Sequence, residues 1–189
     1  MEPILELASA RLLLRQWQDE DLPEFAAMCA DPQVMRYFPA PLSRLESASL
    51  IGRIRGHFAE HGFGPWALER KDTGQFIGFT GLGVVGFDAP FTPAIEIGWR
   101  LAREHWGLGY ASEAAWTVLR CGFDRLALNE IVSFTADSNL PSQKVMQAIG
   151  MHHDCADDFE HPNLAVDHPL RHHVLYRISR EQWLQTLHG

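Results

Sequence analysis

Apolar and polar positions follow two spacings along this chain. Between residues 110 and 125 apolar side chains recur every three or four positions, which predicts an amphipathic helix. Short apolar or alternating runs bounded by glycine, proline or aspartate predict strands. The predicted order is β-α-α-β-β-β-α-β-α-β-β with a closing helix. The strands that can be placed cover residues 11–17, 64–70, 75–85, 94–101, 131–136 and 173–178, and the helices cover 19–30, 43–60, 110–125, 141–149 and 181–187.

Residues with strong local preferences mark the ends of these elements. Ser43 and Glu46 have the spacing of a capping box and predict the start of the second helix. Asp31 followed by Pro32 should end the first helix, because the residue before a proline avoids helical backbone. No repeat or linker separates the elements, so a single domain over residues 1–189 is predicted.

Composition narrows the class of protein. With 46% hydrophobic and 21% charged residues, the 189-residue chain can bury one sizeable core. A net charge of −8 argues against nucleic acid or an anionic membrane as a partner. No apolar run approaches the roughly 20 residues of a membrane-spanning helix, so a cytoplasmic protein is expected. Cys29, Cys121 and Cys155 lack zinc-ligand spacing and are expected to be reduced core thiols.

The most informative segment is WGLGYASEAA at residues 106–115. It directly follows the predicted strand 94–101 and leads through Gly107 and Gly109 into the amphipathic helix. The main-chain N–H groups of about residues 107–112 should point at whatever lies before the helix. Together with the positive end of the helix dipole they form an anion cradle, and phosphate is the expected occupant.

A second glycine-rich segment, residues 81–86, matches the G-x-G-x-x-G fingerprint of dinucleotide-binding proteins. Its context does not fit, because Pro90 and Pro93 follow and cannot open the helix that would hold a pyrophosphate. The segment is therefore predicted to be a glycine-rich strand. A nicotinamide oxidoreductase is not expected.

Three motifs in fixed order resemble one protein family. EIGWRL, WGLGYASEA and DSNLPSQKVMQAIGM are similar to segments of the GNAT N-acetyltransferases, in the ribosomal-protein N-terminal acetyltransferase-like (RimJ/RimL-like) branch. The resemblance covers about residues 9–179. It implies the α/β (α+β) acyl-CoA N-acyltransferase fold, with a mixed, mostly antiparallel sheet that splays between its fourth and fifth strands and carries helices on both faces. Trp106 departs from the family pattern, which has Gln or Arg there, but the loop acts through its main chain.

The resemblance also implies an activity and a coenzyme site. The expected reaction is direct acetyl transfer from acetyl-CoA to a primary amine in a ternary complex, without a metal. The alternative is a non-catalytic acyl-CoA-binding module or sensor. In the family the pantetheine arm pairs with the strand beside the splay, and the pyrophosphate lies on the loop. The coenzyme-binding residues so implied are Ile97, Gly98, Trp99, Trp106, Gly107, Leu108, Gly109, Tyr110, Ala111, Ser112, Asn139 and Ser142.

The chemistry requires a base, since an amine is mostly protonated at neutral pH and must lose a proton before it attacks. The resemblance places Glu96 near the thioester, as the first candidate for the general base. Glu160 and a water relay are the other candidates. An ion pair with Arg100, on the same strand face, is the competing interpretation of Glu96.

The third motif places Asn139 and Ser142 around the start of the short helix 141–149. In the family the matching Asn contacts the coenzyme, and the matching Ser lies beside the sulfur, where it can protonate the leaving thiolate. Many members use a tyrosine for this step, and none occurs in the helix, which favours Ser142. A simple helix cap is the competing interpretation.

No sequence motif identifies the acceptor. Its pocket is expected from residues 35–41, 62–66 and 155–169, and a protein N-terminus, a free amino acid, a polyamine and an aminoglycoside all stay open. An acidic loop contains Asp157, Asp158 and Glu160 and would suit a cationic amine, with a solvated loop as the alternative.

Several other large or polar side chains have structural interpretations. The histidines lack metal-ligand spacing, so no metal site is expected, although His161 borders the expected acceptor site. Trp66, Phe87 and Phe91 are assigned to core packing, with the acceptor funnel or a homodimer face as alternatives.

Overall fold

A computed structural model describes residues 5–187, which fold into one sheet with helices on both faces. The strands are β1 (Leu7–Ala8), β2 (Leu12–Arg15), β3 (Pro65–Arg70), β4 (Phe76–Val84), β5 (Ile95–Leu101), β6 (Glu130–Ala136), β7 (His152–His153), β8 (Phe159–Glu160) and β9 (His172–Ser179). The α-helices are α1 (Leu22–Ala30), α2 (Arg44–His61), α3 (Tyr110–Asp124), α4 (Leu140–Ala148) and α5 (Arg180–Thr186).

The sheet has one parallel junction, between β5 and β6. Its strand order is β1-β2-β3-β4-β5-β6-β9-β7, with β8 paired to β9, and every other pairing is antiparallel. Across the parallel junction only Glu96 and Val132 stand opposite each other. Ser133 Oγ donates a hydrogen bond to the Ile97 carbonyl at 2.9 Å, and no ladder continues toward the carboxyl ends. The splay predicted between the fourth and fifth strands is therefore confirmed.

Local end signals act as predicted. Ser43 Oγ accepts from Glu46 N at 3.2 Å, and the Glu46 carboxylate accepts from Ser43 N at 2.7 Å, so the capping box starts α2. Gly150 follows α4 with φ of +84°. The pattern placed one strand between α4 and residue 173, whereas the structure has two short ones, β7 and β8, and adds β1 at the edge. Two-residue strands are too short to show a periodicity.

Helices α1 and α3 cover opposite faces of the sheet. Phe25 of α1 lies 6.1 Å from Phe79 of β4, measured between ring centroids. On the other face α3 approaches β6 so closely that a Cβ on Gly122 would lie 2.7 Å from Ile131 Cδ1. Leu82 of β4 lies on this second face, also near Gly122. Both faces of the central strands are thus buried, which explains their nearly continuous apolar sequences.

One expectation about individual side chains, at Cys155, needs correction, and another, at Trp66, is confirmed. Cys29 and Cys121 are buried thiols, but Cys155 is exposed because it opens a short 3₁₀ turn on the surface after β7. All three are free. Trp66 is fully buried and its indole N–H donates to the Leu5 carbonyl at 2.7 Å, so it belongs to the core and not to a homodimer face.

The alternative dinucleotide segment is a strand. Residues 81–84 belong to β4, and the chain continues from there to β5 without a helix. Among residues 5–187, no helix combines the length and the apolar character that crossing a membrane requires.

Candidate active site

The chain passes from β5 into α3 through two glycines in left-handed backbone. Gly107 has φ of +71° and Gly109, the residue before α3, has φ of +81°. Only glycine adopts this region at no steric cost, so the turn depends on both residues. The side chains between and before them, Leu108 and Trp106, are 52% and 46% exposed. The loop therefore presents main chain, as the sequence predicts.

The start of α3 leaves a row of donors unused. The first hydrogen bond into the helix runs from Glu113 N to Gly109 O at 3.1 Å, and no side chain caps the helix. Within the described part of the chain, the N–H groups of residues 107–112 have no acceptor. Unpaired donors at a helix start favour an anion. That coenzyme phosphate fills this place stays a prediction.

Arg11 anchors the loop of residues 106–109 to the start of the sheet, a role that the sequence does not reveal. Its guanidinium donates to the Leu108 carbonyl at 3.0 Å and pairs with the Glu113 carboxylate at 2.6 Å. It also lies 4.3 Å from the centre of the Tyr110 ring. Glu113 further accepts from Ser9 Oγ at 2.6 Å. These contacts lower the pKa of Glu113 against the opposing effect of burial, and they fix the loop to the first strands of the sheet.

Glu96 lies on β5 beside the single position where β5 and β6 still pair. Among residues 5–187 its carboxyl group has no hydrogen bond or ion pair, and its nearest cross-strand neighbour is Gly83. Burial raises the pKa of Glu96 to about 7. The alternative of an ion pair with Arg100 is wrong, because Arg100 turns toward α1 and donates to Cys29 Sγ at 3.2 Å.

Asn139 and Ser142 lie at the start of α4, immediately after β6. Asn139 Oδ1 accepts from Ser142 N at 3.3 Å, and its Nδ2 donates to Thr135 Oγ1 at 2.8 Å. Asn139 is therefore the helix cap, as the competing interpretation has it. The Ser142 hydroxyl takes no part in the cap and has no partner among residues 5–187. Its role as an acid stays a prediction.

The acids of the acidic loop have partners within the protein. Asp157 accepts from Arg177 at 2.7 Å, and Asp158 lies 2.8 Å from His153 Nε2. Glu160 lies 3.1 Å from Arg171 Nε and 3.0 Å from His172 Nδ1. These contacts argue against the loop as a free acidic surface for a cationic amine. They also leave Glu160 engaged, whereas Glu96 is not.

A cluster of rings lies on the Glu96 face of the sheet. Val132 stands opposite Glu96, and Phe134, two residues further on β6, points to the same face. His161 contacts Phe87 at 4.7 Å and His173 at 4.9 Å, measured between ring centroids. We call the set the aromatic cluster; its members are Phe87, Phe91, Phe134, Phe159, His161 and His173.

The histidines of this cluster are held in the neutral form. Burial lowers the pKa of His173 to about 4 and also lowers the pKa of His161. His173 is buried and His172 exposed, which confirms that the two point to opposite faces of β9. Among residues 5–187 no group of three His, Cys, Asp or Glu side chains is placed to hold a metal ion.

The predicted residues lie on three separate elements next to the β5–β6 junction. Glu96 and residues 97–99 come from β5, residues 106–112 from the loop and start of α3, and Asn139 and Ser142 from the start of α4. The sequence singled out His161 at the border of the acceptor site, and Phe87 and Phe91 as an alternative funnel, but not Arg11, Ser133 or the other members of the aromatic cluster, which are Phe134, Phe159 and His173. Each of the missed residues acts through a partner distant in the chain, so no local pattern marks it.

Comparisons with known proteins identify a family and a fold. A model of the acetyltransferase (GNAT) domain matches residues 11–152. N-acetyltransferase YoaA of Bacillus subtilis is 32% identical over 79% of this chain and 83% of its own length. An FsC-acetyl coenzyme A-N(2)-transacetylase of Aspergillus fumigatus is 32% identical over 82% of this chain and 68% of its own. The solved structure of Mycobacterium smegmatis RimJ in complex with CoA-disulfide has a TM-score of 0.74 at 21% identity, covering 98% of this chain and 97% of that one.

Proposed function

This chain belongs to the GNAT family of acetyltransferases, and we propose that it transfers acetyl from acetyl-CoA directly to a primary amine in a ternary complex. One observation supports the proposal: the unpaired carboxyl of Glu96 lies on β5 at the one position where β5 and β6 still pair, and the loop with the unused N–H groups of residues 107–112 follows the carboxyl end of the same strand. An anion site and a proton acceptor are what the two substrates need. The transacetylase of Aspergillus fumigatus, whose name includes acetyl coenzyme A, supports the donor.

The coenzyme would lie along the splay. Its pyrophosphate would accept hydrogen bonds from residues 107–112 at the positive end of α3. The Ile97 carbonyl points toward β6, since it accepts from Ser133. Main-chain groups two residues apart on a strand face the same edge, so the N–H and carbonyl of Trp99 face the opening. The pantetheine amides can pair there without displacing Ser133.

The Glu96 carboxylate would take the proton that the amine must lose. With a pKa of about 7 it is partly ionised at neutral pH and is a stronger base than an ordinary glutamate. The amine nitrogen then attacks the thioester carbonyl, the new C–N bond forms and the C–S bond breaks. The Ser142 hydroxyl, which has no other partner in the described residues, supplies a proton to the departing thiolate. We place this reaction in the cytoplasm.

Acetyl-CoA binding is tested first by thermal unfolding. A ligand at 100 times its Kd adds about 2.7 kcal/mol, or roughly 5 to 10 °C for a domain of this size. We expect such a shift with acetyl-CoA and none with NAD. No shift with acetyl-CoA, or a shift with NAD alone, would contradict the proposal.

Turnover separates the enzyme from a binding module. Thiol release from acetyl-CoA, followed with a panel of primary amines, should depend on the amine and produce the acetylated amine in equal amount. A protein that binds acetyl-CoA tightly and releases no thiol with any amine would be the non-catalytic sensor instead.

A further inference from the structure

Arg100 lies on the same face of β5 as Glu96, four residues further along the strand. Between them stands Gly98, and a Cβ built on Gly98 would meet no heavy atom within 4 Å. The space above Gly98 is therefore open. Strand geometry separates the Cα atoms of Glu96 and Arg100 by about 13 Å. The unpaired carboxyl of Glu96 and the guanidinium of Arg100 thus lie at the two ends of the surface above Gly98, which we call the open strip.

The Arg100 cation has no counter-ion within residues 5–187. Nη1 donates to the neutral sulfur of Cys29, and Nε is buried without any acceptor. Arg15 and Arg177 each pair with two carboxylates. Arg180 has no carboxylate partner among residues 5–187, but its guanidinium donates to the main-chain carbonyls of Leu128 and Phe123, whereas the Arg100 guanidinium keeps a buried donor unmet. A buried donor without an acceptor is costly to the fold. Arg100 Nη2 also has no acceptor among residues 5–187 and, unlike Nε, is not fully buried. The guanidinium therefore keeps an accessible donor for an anion that arrives from outside.

Aromatic rings hold the guanidinium in place without neutralising it. Its carbon lies 4.2 Å from the centre of the Phe38 ring and 5.4 Å from that of Phe79. Phe38 belongs to the loop between α1 and α2 and is 39% exposed. That loop is one of the segments from which the acceptor pocket is expected. Arg100 is therefore at the acceptor side and not among the loop residues assigned to the coenzyme phosphates.

We infer that the acceptor amine also carries a carboxylate, and that Arg100 binds it while the amine lies at Glu96. The inference rests on the proposed acetyl transfer and names its substrate class. A guanidinium attracts a carboxylate by its charge and can donate two parallel hydrogen bonds to it. It repels an ammonium ligand, which carries the same charge and has no acceptor atoms. The acidic loop agrees with this choice, since Asp157 and Glu160 are already paired with Arg177 and Arg171.

Matched pairs of acceptors test the inference. The panel contains an α-amino acid, an ω-amino acid and a dipeptide, each as the free carboxylate and as the carboxamide. The proteins are wild type, Arg100→Gln, Arg100→Lys and the control Arg53→Gln, which removes an exposed arginine of α2 that has no described partner. Wild type should prefer at least one carboxylate over its carboxamide by 10-fold or more in kcat/KM.

The variants should remove this preference selectively. Arg100→Gln should lower kcat/KM for the carboxylate by about 10- to 100-fold, mainly through KM, as expected for a lost charged hydrogen bond. Arg100→Lys should keep only part of the wild-type kcat/KM for the carboxylate. The carboxamide, the KM for acetyl-CoA and the thermal shift by acetyl-CoA should not change. Arg53→Gln should match wild type with every acceptor.

Three results would overturn the inference. The first is that wild type has the same kcat/KM for the carboxylate and the carboxamide in every pair. The second is that Arg100→Gln lowers kcat/KM equally for both. The third is a raised KM for acetyl-CoA in Arg100→Gln, which would assign Arg100 to the coenzyme. If acetyl-CoA does not bind at all, the proposed function fails instead. Calorimetric titration of the same carboxylates into wild type and Arg100→Gln then decides separately whether Arg100 binds them.

Discussion

The loop proposed to bind the coenzyme and the face proposed to bind the acceptor are built on opposite principles. The loop takes its donors from the main chain of consecutive residues, 107–112, and its two exposed side chains do not touch the cradle's N–H groups. The acceptor face takes single side chains from β5, the loop after α1, β6, β8 and β9, as with Glu96, Phe38 and His173. A main-chain site tolerates side-chain change but not backbone change, and a side-chain site behaves in the reverse way.

A backbone change in the loop should have the largest effect. Gly109→Val forces a β-branched residue into left-handed backbone and misdirects the N–H groups, each of whose hydrogen bonds to a charged phosphate contributes about 1.5–3 kcal/mol. We expect acetyl-CoA affinity to fall by about 100-fold or more, as measured by calorimetry. Gly74→Val is the matched control, since Gly74 has φ of +69° in the β3–β4 turn. It should lose a similar stability, about 1–3 kcal/mol, and keep its affinity.

A side-chain change on the acceptor face should affect rate and not coenzyme affinity. Glu96→Gln should lower kcat by about 100-fold, because it removes the base but leaves both substrates in place. In wild type, kcat should rise about tenfold per pH unit below pH 7 and level off above it. A pH profile from 5 to 9 for both proteins measures this. An unchanged profile in the variant would show that another group accepts the proton.

The same substitution should stabilise the fold at high pH. The folded pKa of Glu96 is about 7 and the ordinary value is 4.5, so the folded state prefers the protonated form and its charge opposes folding above pH 7. Glu96→Gln should therefore raise stability by about 3 kcal/mol at pH 8, or roughly 6 to 12 °C in Tm. The gain should shrink between pH 7 and 4.5 and vanish below. A constant difference across this range would contradict the assigned pKa.

Two neighbouring residues separate catalysis from capping. Ser142→Ala should lower kcat by only about tenfold, because a thiolate is already a good leaving group, and should leave Tm unchanged. Asn139→Ala should cost about 1 kcal/mol through loss of the α4 cap. Kinetics and thermal unfolding of both variants give the comparison. If Ser142→Ala lowers Tm and leaves kcat unchanged, Ser142 has a structural role and not a catalytic one.

The smallest effect should come from the support beneath the loop. Arg11→Ala should raise the KM for acetyl-CoA about threefold and leave kcat unchanged, since Arg11 supports the loop through the Leu108 carbonyl, Glu113 and the Tyr110 ring. The Arg11 side chain is half exposed, so little stability is lost. Arg55→Ala removes an equally exposed arginine, paired with Asp19, and should leave KM as it is. Equal effects in both variants would exclude a specific support role.

These contrasts explain what the sequence could predict. Capping at Ser43, the glycine turn before α3 and the alternation on β5 are set by neighbours in the chain, so each could be read from a few residues. The family resemblance supplied the splay and the place of Glu96. The fold was therefore predictable except at its short edge strands.

The acceptor face could not be predicted because its partners are distant in sequence. Arg100 and Cys29 are 71 positions apart, and nothing near Arg100 indicates that it turns from Glu96 to a thiol. In the same way the acids of the loop after β7 looked free, but Asp157 meets Arg177 only when β9 folds beside it. Cys155 was misplaced because its burial depends on that loop's path.

The cradle is tested most directly by amide NMR. In ¹H–¹⁵N spectra of the labelled protein, saturating acetyl-CoA should move the N–H signals of residues 107–112 downfield, since these groups acquire a phosphate acceptor, and an equal concentration of NAD should leave them in place. Unmoved signals at residues 107–112 under saturating acetyl-CoA, with shifts at residues 81–86 instead, would contradict the account.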